Sequence, residues 1–73
     1  MQDEVRIGGV YRHFKGNTYE VIAVGKHSDT LERLVVYRAR YGDGEVWVRP
    51  LTEFTGTVIR DGKTCRRFEE IGT

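Results

Sequence analysis

The stretch VVYRARYGDGEVWVRP, residues Val35 to Pro50, places two strand-like runs on either side of a Gly-Asp-Gly centre. In the first run Val35, Tyr37, Ala39 and Tyr41 alternate with Val36, Arg38 and Arg40, the period of two that a half-buried strand requires. In the second, EVWVR is again strand-like, and Pro50 ends it because proline has no N–H to give to a ladder. The register between the runs decides which side chains share a face. With a two-residue turn at Asp43 and Gly44, Tyr41 pairs with Val46 and Ala39 with Val48. The inner face is then Val35, Tyr37, Ala39, Tyr41, Val46 and Val48, and the outer face carries Arg38, Arg40, Trp47 and Arg49. With a three-residue loop over Gly42, Asp43 and Gly44, every side chain of the second strand changes face, Trp47 joins the core and two arginines remain outside. The first register is preferred because it sets aliphatic residues opposite aliphatic residues.

Working outward, Gly8-Gly9 separates a charged leader from VYRHF, so residues 1–8 are expected to form a flexible arm and residues 9–73 a single domain. KGN, Lys15 to Asn17, reads as a turn, and TYEVIAVGKH as a strand rich in β-branched and aromatic residues. In SDTLER, Asp29 and Glu32 have capping-box spacing, enough for one helical turn or a tight connection. Pro50 suits the first position of another short helical turn, with Leu51 and Phe54 on one side to plug the end of a barrel. In the tail TVIRDGKTCRRFEEI, Asp61-Gly62 is a strong hairpin signal. Five or six short strands with no long amphipathic helix predict an all-β fold, a small antiparallel barrel with one or two helical turns. Val21, Tyr37 and Ala39 are its predicted core residues.

Composition narrows the functional classes. At 73 residues the chain is one domain, and folding removes only about 60% of its unfolded surface from water. Twelve Lys and Arg against eleven Asp and Glu leave a net charge of +1, so only a local patch would attract a polyanion. The single cysteine, Cys65, excludes an internal disulfide, and no Cys/His set has metal-ligand spacing. A lone thiol fits a reducing cytoplasm, and neither a leader peptide nor a membrane-length apolar run is visible.

Several quoted segments together carry a resemblance: HFKGN followed by YEV, HSDTLE, LVVYR, YGD and WVRP. In this succession, spanning about residues 9–71, the chain resembles the bacterial family known as domain of unknown function 1653. It differs at CRRF, where Arg66 occupies a position that is often Pro in the family. The resemblance implies an SH3-like β-barrel and brings no activity, cofactor or catalytic residue, because the family is functionally uncharacterised.

Candidate chemistry is sparse. His27, Ser28 and Asp29 have the composition of a hydrolase triad, but adjacent residues on an extended strand point to opposite sides and form no relay. His13 and His27 without a third ligand make a poor metal site. Arg66 and Arg67 beside Cys65 favour a thiolate, yet no base lies near it in sequence, and an inert cysteine is the simpler reading. Four tyrosines and Trp47 suffice for an aromatic cage around a cationic ligand, or simply fill a core poor in Leu. The remaining constellation is the binding face Arg38, Arg40, Trp47 and Arg49, tempered by Asp43, Glu45 and Glu20 nearby. The expected function is a non-catalytic, cytoplasmic binding module without cofactor, contacting a protein or peptide partner, with single-stranded nucleic acid as the alternative.

Overall fold

Seven strands and one short helix follow one another through residues 5–72, the part of the chain that the computed structural model describes. They are β1 (Val10–His13), β2 (Thr18–Lys26), β3 (Arg33–Ala39), β4 (Val46–Pro50), α1 (Leu51–Phe54), β5 (Thr57–Arg60), β6 (Lys63–Arg66) and β7 (Phe68–Gly72). Every pairing is antiparallel. The all-β architecture with one short helix is as the sequence predicts; the closed barrel is not. A five-stranded sheet, in the order β4-β3-β2-β1-β7, lies beside a separate β5-β6 hairpin. The ladder is interrupted where α1 separates β4 from β5, and again at Arg67, where the chain leaves β6 and enters β7 beside β1. Among the described residues, no helix is long and apolar enough to cross a membrane.

Strand alternation builds the core. Val21, Val35, Tyr37 and Ala39 are buried on one face of the sheet, with Tyr11 from β1 and Phe68 from β7. The prediction for Val21, Tyr37 and Ala39 is met. Phe54 covers this face from α1: its ring lies parallel to that of Phe68 with centroids 4.0 Å apart, and meets Tyr11 and Tyr37 edge-on at 5.3 Å. Pro50, with φ −55° and ψ 141°, leads the chain from strand into this helical turn. Thr55 closes the turn by donating its hydroxyl to the Leu51 carbonyl at 2.8 Å. A half-buried Leu51 packs against the same cluster, as the spacing of Leu51 and Phe54 predicts.

The predicted turn at Asp61-Gly62 forms, with both residues at positive φ (54° and 77°) and Arg60 paired with Lys63. At Asp29 to Glu32 the chain forms the tight connection, a single turn closed by the Leu31 amide on the His27 carbonyl at 2.9 Å, and no helix. Leu31 takes a positive φ of 65°, which ends any helix there. The acceptor that organises this loop is His27 rather than Asp29: its Nδ1 accepts from the Asp29 and Thr30 amides at 3.1 and 3.3 Å. Of the arm expected over residues 1–8, residues 1–4 lie outside the described residues. Val5 packs on the core cluster, Arg6 donates its amide to the Tyr11 hydroxyl at 3.0 Å, and Gly8 donates to the Val21 carbonyl at 2.8 Å.

The central hairpin takes neither register considered from sequence. Tyr37 pairs with Trp47, Val36 with Val48 and Arg38 with Val46, joined by a loop from Arg40 to Gly44. Gly42 and Gly44 both have positive φ, and the Gly44 amide closes a turn onto the Tyr41 carbonyl at 3.1 Å. This register has the face parity of the three-residue alternative. Val46 and Val48 therefore point outward, and Trp47 and Arg49 share the face of Tyr37. The preference for pairing aliphatics with aliphatics fails because β4 is an edge strand whose valines have no second layer to meet.

Candidate functional site

Curling of the sheet brings aromatic side chains from β1, β2, β3, β4 and β7 around one groove. A cavity of about 190 Å³ is lined by the buried Tyr37 and Phe68 together with His13, Tyr19, Tyr41, Trp47 and Arg49. Tyr41 and Trp47 also line a second cavity of about 190 Å³, whose rim is completed by Gly42, Asp43 and Glu45. The two cavities share these two aromatics, which are 45% and 48% exposed. The aromatic cavity and the acidic one are thus neighbours on either side of one aromatic pair. Among the described residues, Asp43 and Glu45 make no ion pair.

Polar contacts hold the walls in place. Arg49 donates from Nε to the Tyr37 hydroxyl at 3.3 Å and from Nη1 to Glu53 Oε1 at 3.3 Å, with its guanidinium 5.9 Å from the Phe68 ring centroid. Its charge is accordingly shared with Glu53 and its rotamer is fixed. The hydroxyls of Tyr19 and Tyr41 are 2.9 Å apart and hydrogen-bonded. Burial, reinforced by this bond, pushes the Tyr19 phenol up to about 12. Burial also lowers the pKa of His13, assisted by the positive charges of Arg49, Lys15 and Arg67. His13 Nδ1 accepts from the Lys15 amide at 3.2 Å, so the neutral imidazole is the form that fits. The ring lies edge-on to Phe68 at 4.9 Å and acts as another aromatic wall.

The four residues expected to form one binding face are divided. Trp47 and Arg49 line the groove; Arg38 is exposed on the opposite face, across from Glu20 of β2; Arg40 is exposed in the loop after β3. The correction follows from the register, since an even number of loop positions was assumed where the actual pairing reverses the face of β4. His27 serves its own loop. Cys65 is half-buried in β6 and lines, with Arg12, His13 and Arg66, a third cavity of about 390 Å³ on the β1–β7 side. Among the described residues, no three His, Cys, Asp or Glu side chains gather as a metal site. Tyr19, Tyr37, Tyr41 and Trp47 belong to the set weighed as an aromatic cage; His13 and Phe68 are groove residues that the sequence did not assign, because they meet only through the non-local pairing of β1 with β7. The available signal was the surplus of aromatics over what the core uses.

Comparison with known proteins bears on this site. A family model described as Protein of unknown function (DUF1653) matches residues 9–70. The chain belongs to this family. A crystal structure of a DUF1653 protein from Bordetella bronchiseptica is similar over 94% of this chain and 90% of that one, with a TM-score of 0.83 and 31% sequence identity. Comparison with curated proteins gave no match. The match to DUF1653 includes every groove residue from His13 to Phe68, and it assigns none of them a role.

Proposed function

We propose that this DUF1653 domain is a non-catalytic binding module that holds an extended segment of a protein partner in the aromatic groove. The observation that carries the reading is the exposed pair Tyr41 and Trp47, set between an aromatic pocket and the acidic rim of Asp43 and Glu45. Each of the two cavities beside Tyr41 and Trp47, at about 190 Å³, is smaller than the roughly 300–1,000 Å³ of a small-molecule site, a size suited to single side chains of a longer ligand. An aliphatic residue or proline suits the pocket over Tyr37 and Phe68. A Lys or Arg beside it suits the Trp47 face, where cation–π attraction and the two carboxylates act together.

The nucleic-acid alternative draws less support from this geometry. Phosphates need cations on the stacking face, yet Arg38 lies on the other side, Arg49 is shared with Glu53, and Asp43 and Glu45 oppose a polyanion beside Trp47. Because Trp47 is the single tryptophan, its fluorescence reports directly on the groove. Titration with arrays of extended peptides is expected to select sequences with a basic residue next to proline or an aliphatic residue. Trp47→Ala, which removes the fluorophore and is therefore followed by calorimetry, should then weaken binding by about 1–3 kcal/mol with little change in stability. Binding that survives this substitution, or a response to oligonucleotides alone, refutes the reading.

A further inference from the structure

We infer that the free edge of β4 pairs with β4 of a second copy of this chain, antiparallel about a twofold axis, with Trp47 opposite Trp47 and Val46 opposite Val48. Among the described residues, β4 pairs only with β3. The bond from the Ala39 amide to the Glu45 carbonyl, 2.9 Å, makes Ala39 and Glu45 a hydrogen-bonded pair. Alternation then assigns Tyr37/Trp47 and Val35/Arg49 to the same class. The bond from the Arg40 amide to the Thr18 carbonyl, 3.0 Å, gives the complementary alternation toward β2, so the two sides of β3 agree. The N–H and C=O groups of Val46 and Val48 therefore point away from the sheet.

Arg49 and Pro50 guard the C-terminal end of this edge, but its centre lacks the usual safeguards against pairing. Its exposed centre is Val46-Trp47-Val48, with no lysine and no bulge, and the two valines are 50% and 57% exposed on the outer face. Antiparallel pairing about Trp47 gives each Val46 a Val48 from the other copy, with two hydrogen bonds per pair and the four valines in one apolar patch. The same register sets Glu45 opposite Arg49 on both sides of the twofold. A shift in either direction is worse: it brings in Pro50, which has no N–H, or Gly44, whose N–H already bonds the Tyr41 carbonyl. Self-matching of the backbone hydrogen bonds and of the Val46 and Val48 side chains in one register is what favours a second copy over an unrelated strand.

The ladder is short, so the dimer should be weak and concentration-dependent. Sedimentation equilibrium between about 10 μM and 1 mM should show a monomer–dimer equilibrium. Val48→Lys, on the outer face, should raise the dissociation constant about tenfold or more, and Glu45→Arg should also weaken the dimer by opposing Arg49 of the other copy. Amide exchange gives a readout independent of either substitution: the Val46 and Val48 amides should slow as concentration rises, while that of Trp47, bonded within its own sheet, should not change. A chain monomeric at about 1 mM, a dimer indifferent to Val48→Lys, or Val46 and Val48 amides indifferent to concentration would each overturn the inference. Val48 lies outside the groove, so peptide binding by Val48→Lys tests the other reading separately.

Discussion

Removing the Phe54 ring should cost this domain a large part of its stability. The side chain is 1% exposed and lies against three aromatic rings, stacked on Phe68 and edge-on to Tyr11 and Tyr37. Phe→Ala in such a site costs about 3–5 kcal/mol through lost transfer energy and the cavity left behind. Three aromatic partners, each adding about 0.5–1.5 kcal/mol, place Phe54→Ala toward the upper end. A domain of this length is stable by roughly 4–11 kcal/mol in total. Urea unfolding followed by far-UV circular dichroism, with a slope near 1 kcal/mol per molar for a small protein, should show the midpoint falling by about 4 M or no folded baseline at all. Ile59→Ala is the control: Ile59 is equally apolar but 78% exposed in the β5-β6 hairpin, and should change stability by no more than about 0.5 kcal/mol. A loss below about 1.5 kcal/mol at Phe54, or equal losses at both sites, would refute α1 as the lid of the core.

Four further outcomes are expected. Because the folded-state pKa of His13 lies below its ordinary value of about 6.5, the folded protein binds fewer protons; its contribution is complete above pH 6.5 and is lost as pH falls toward the folded value. Urea midpoints from pH 8 to 5 should decline less steeply in His13→Gln, and parallel profiles would remove that assignment. Tyr41→Phe should lower the Tyr19 pKa from about 12 while leaving it above 10, since burial is its largest cause; phenolate absorbance at alkaline pH reads this directly, and an unchanged value would deny the hydrogen bond a part. Gly9→Ala should destabilise the domain by about 1 kcal/mol or more in the same urea assay, because a Cβ there would meet the Arg6 carbonyl at 2.9 Å and the Tyr11 ring at 3.1 Å. Arg38→Ser, on the face away from the groove, should leave both stability and peptide binding within about 0.5 kcal/mol of the parent.

What the sequence made legible was local. Alternation identified Val21, Tyr37 and Ala39 as core, Asp61-Gly62 specified its turn, and Pro50 announced the helical turn that carries Phe54. The Gly42-Asp43-Gly44 centre was ambiguous because two glycines free to take positive φ permit several loop lengths, and one extra residue reverses an entire strand. That reversal moved Trp47 into the groove and detached Arg38 from it. The remaining groove walls depend on β7 lying beside β1, a contact between residues far apart in the chain that no short-range pattern announces. An exposed tryptophan at an edge strand was the clue to the site, and a count of apolar residues alone would have assigned it to the core.

The pairing of β1 with β7 also has a kinetic consequence. His13 must find Phe68, and Val10 must find Gly72, only after most of the intervening chain has been gathered in. Closing so long a segment is entropically slow, whereas β2 and β3 meet across a short loop. The β2-β3 hairpin should therefore belong to the folding nucleus, with β7 joining after the rate-limiting barrier. Conservative substitutions in β7 are then expected to leave the refolding rate nearly unchanged and to accelerate unfolding. The strand that completes the groove would be the last acquired during folding and the first released when the domain opens.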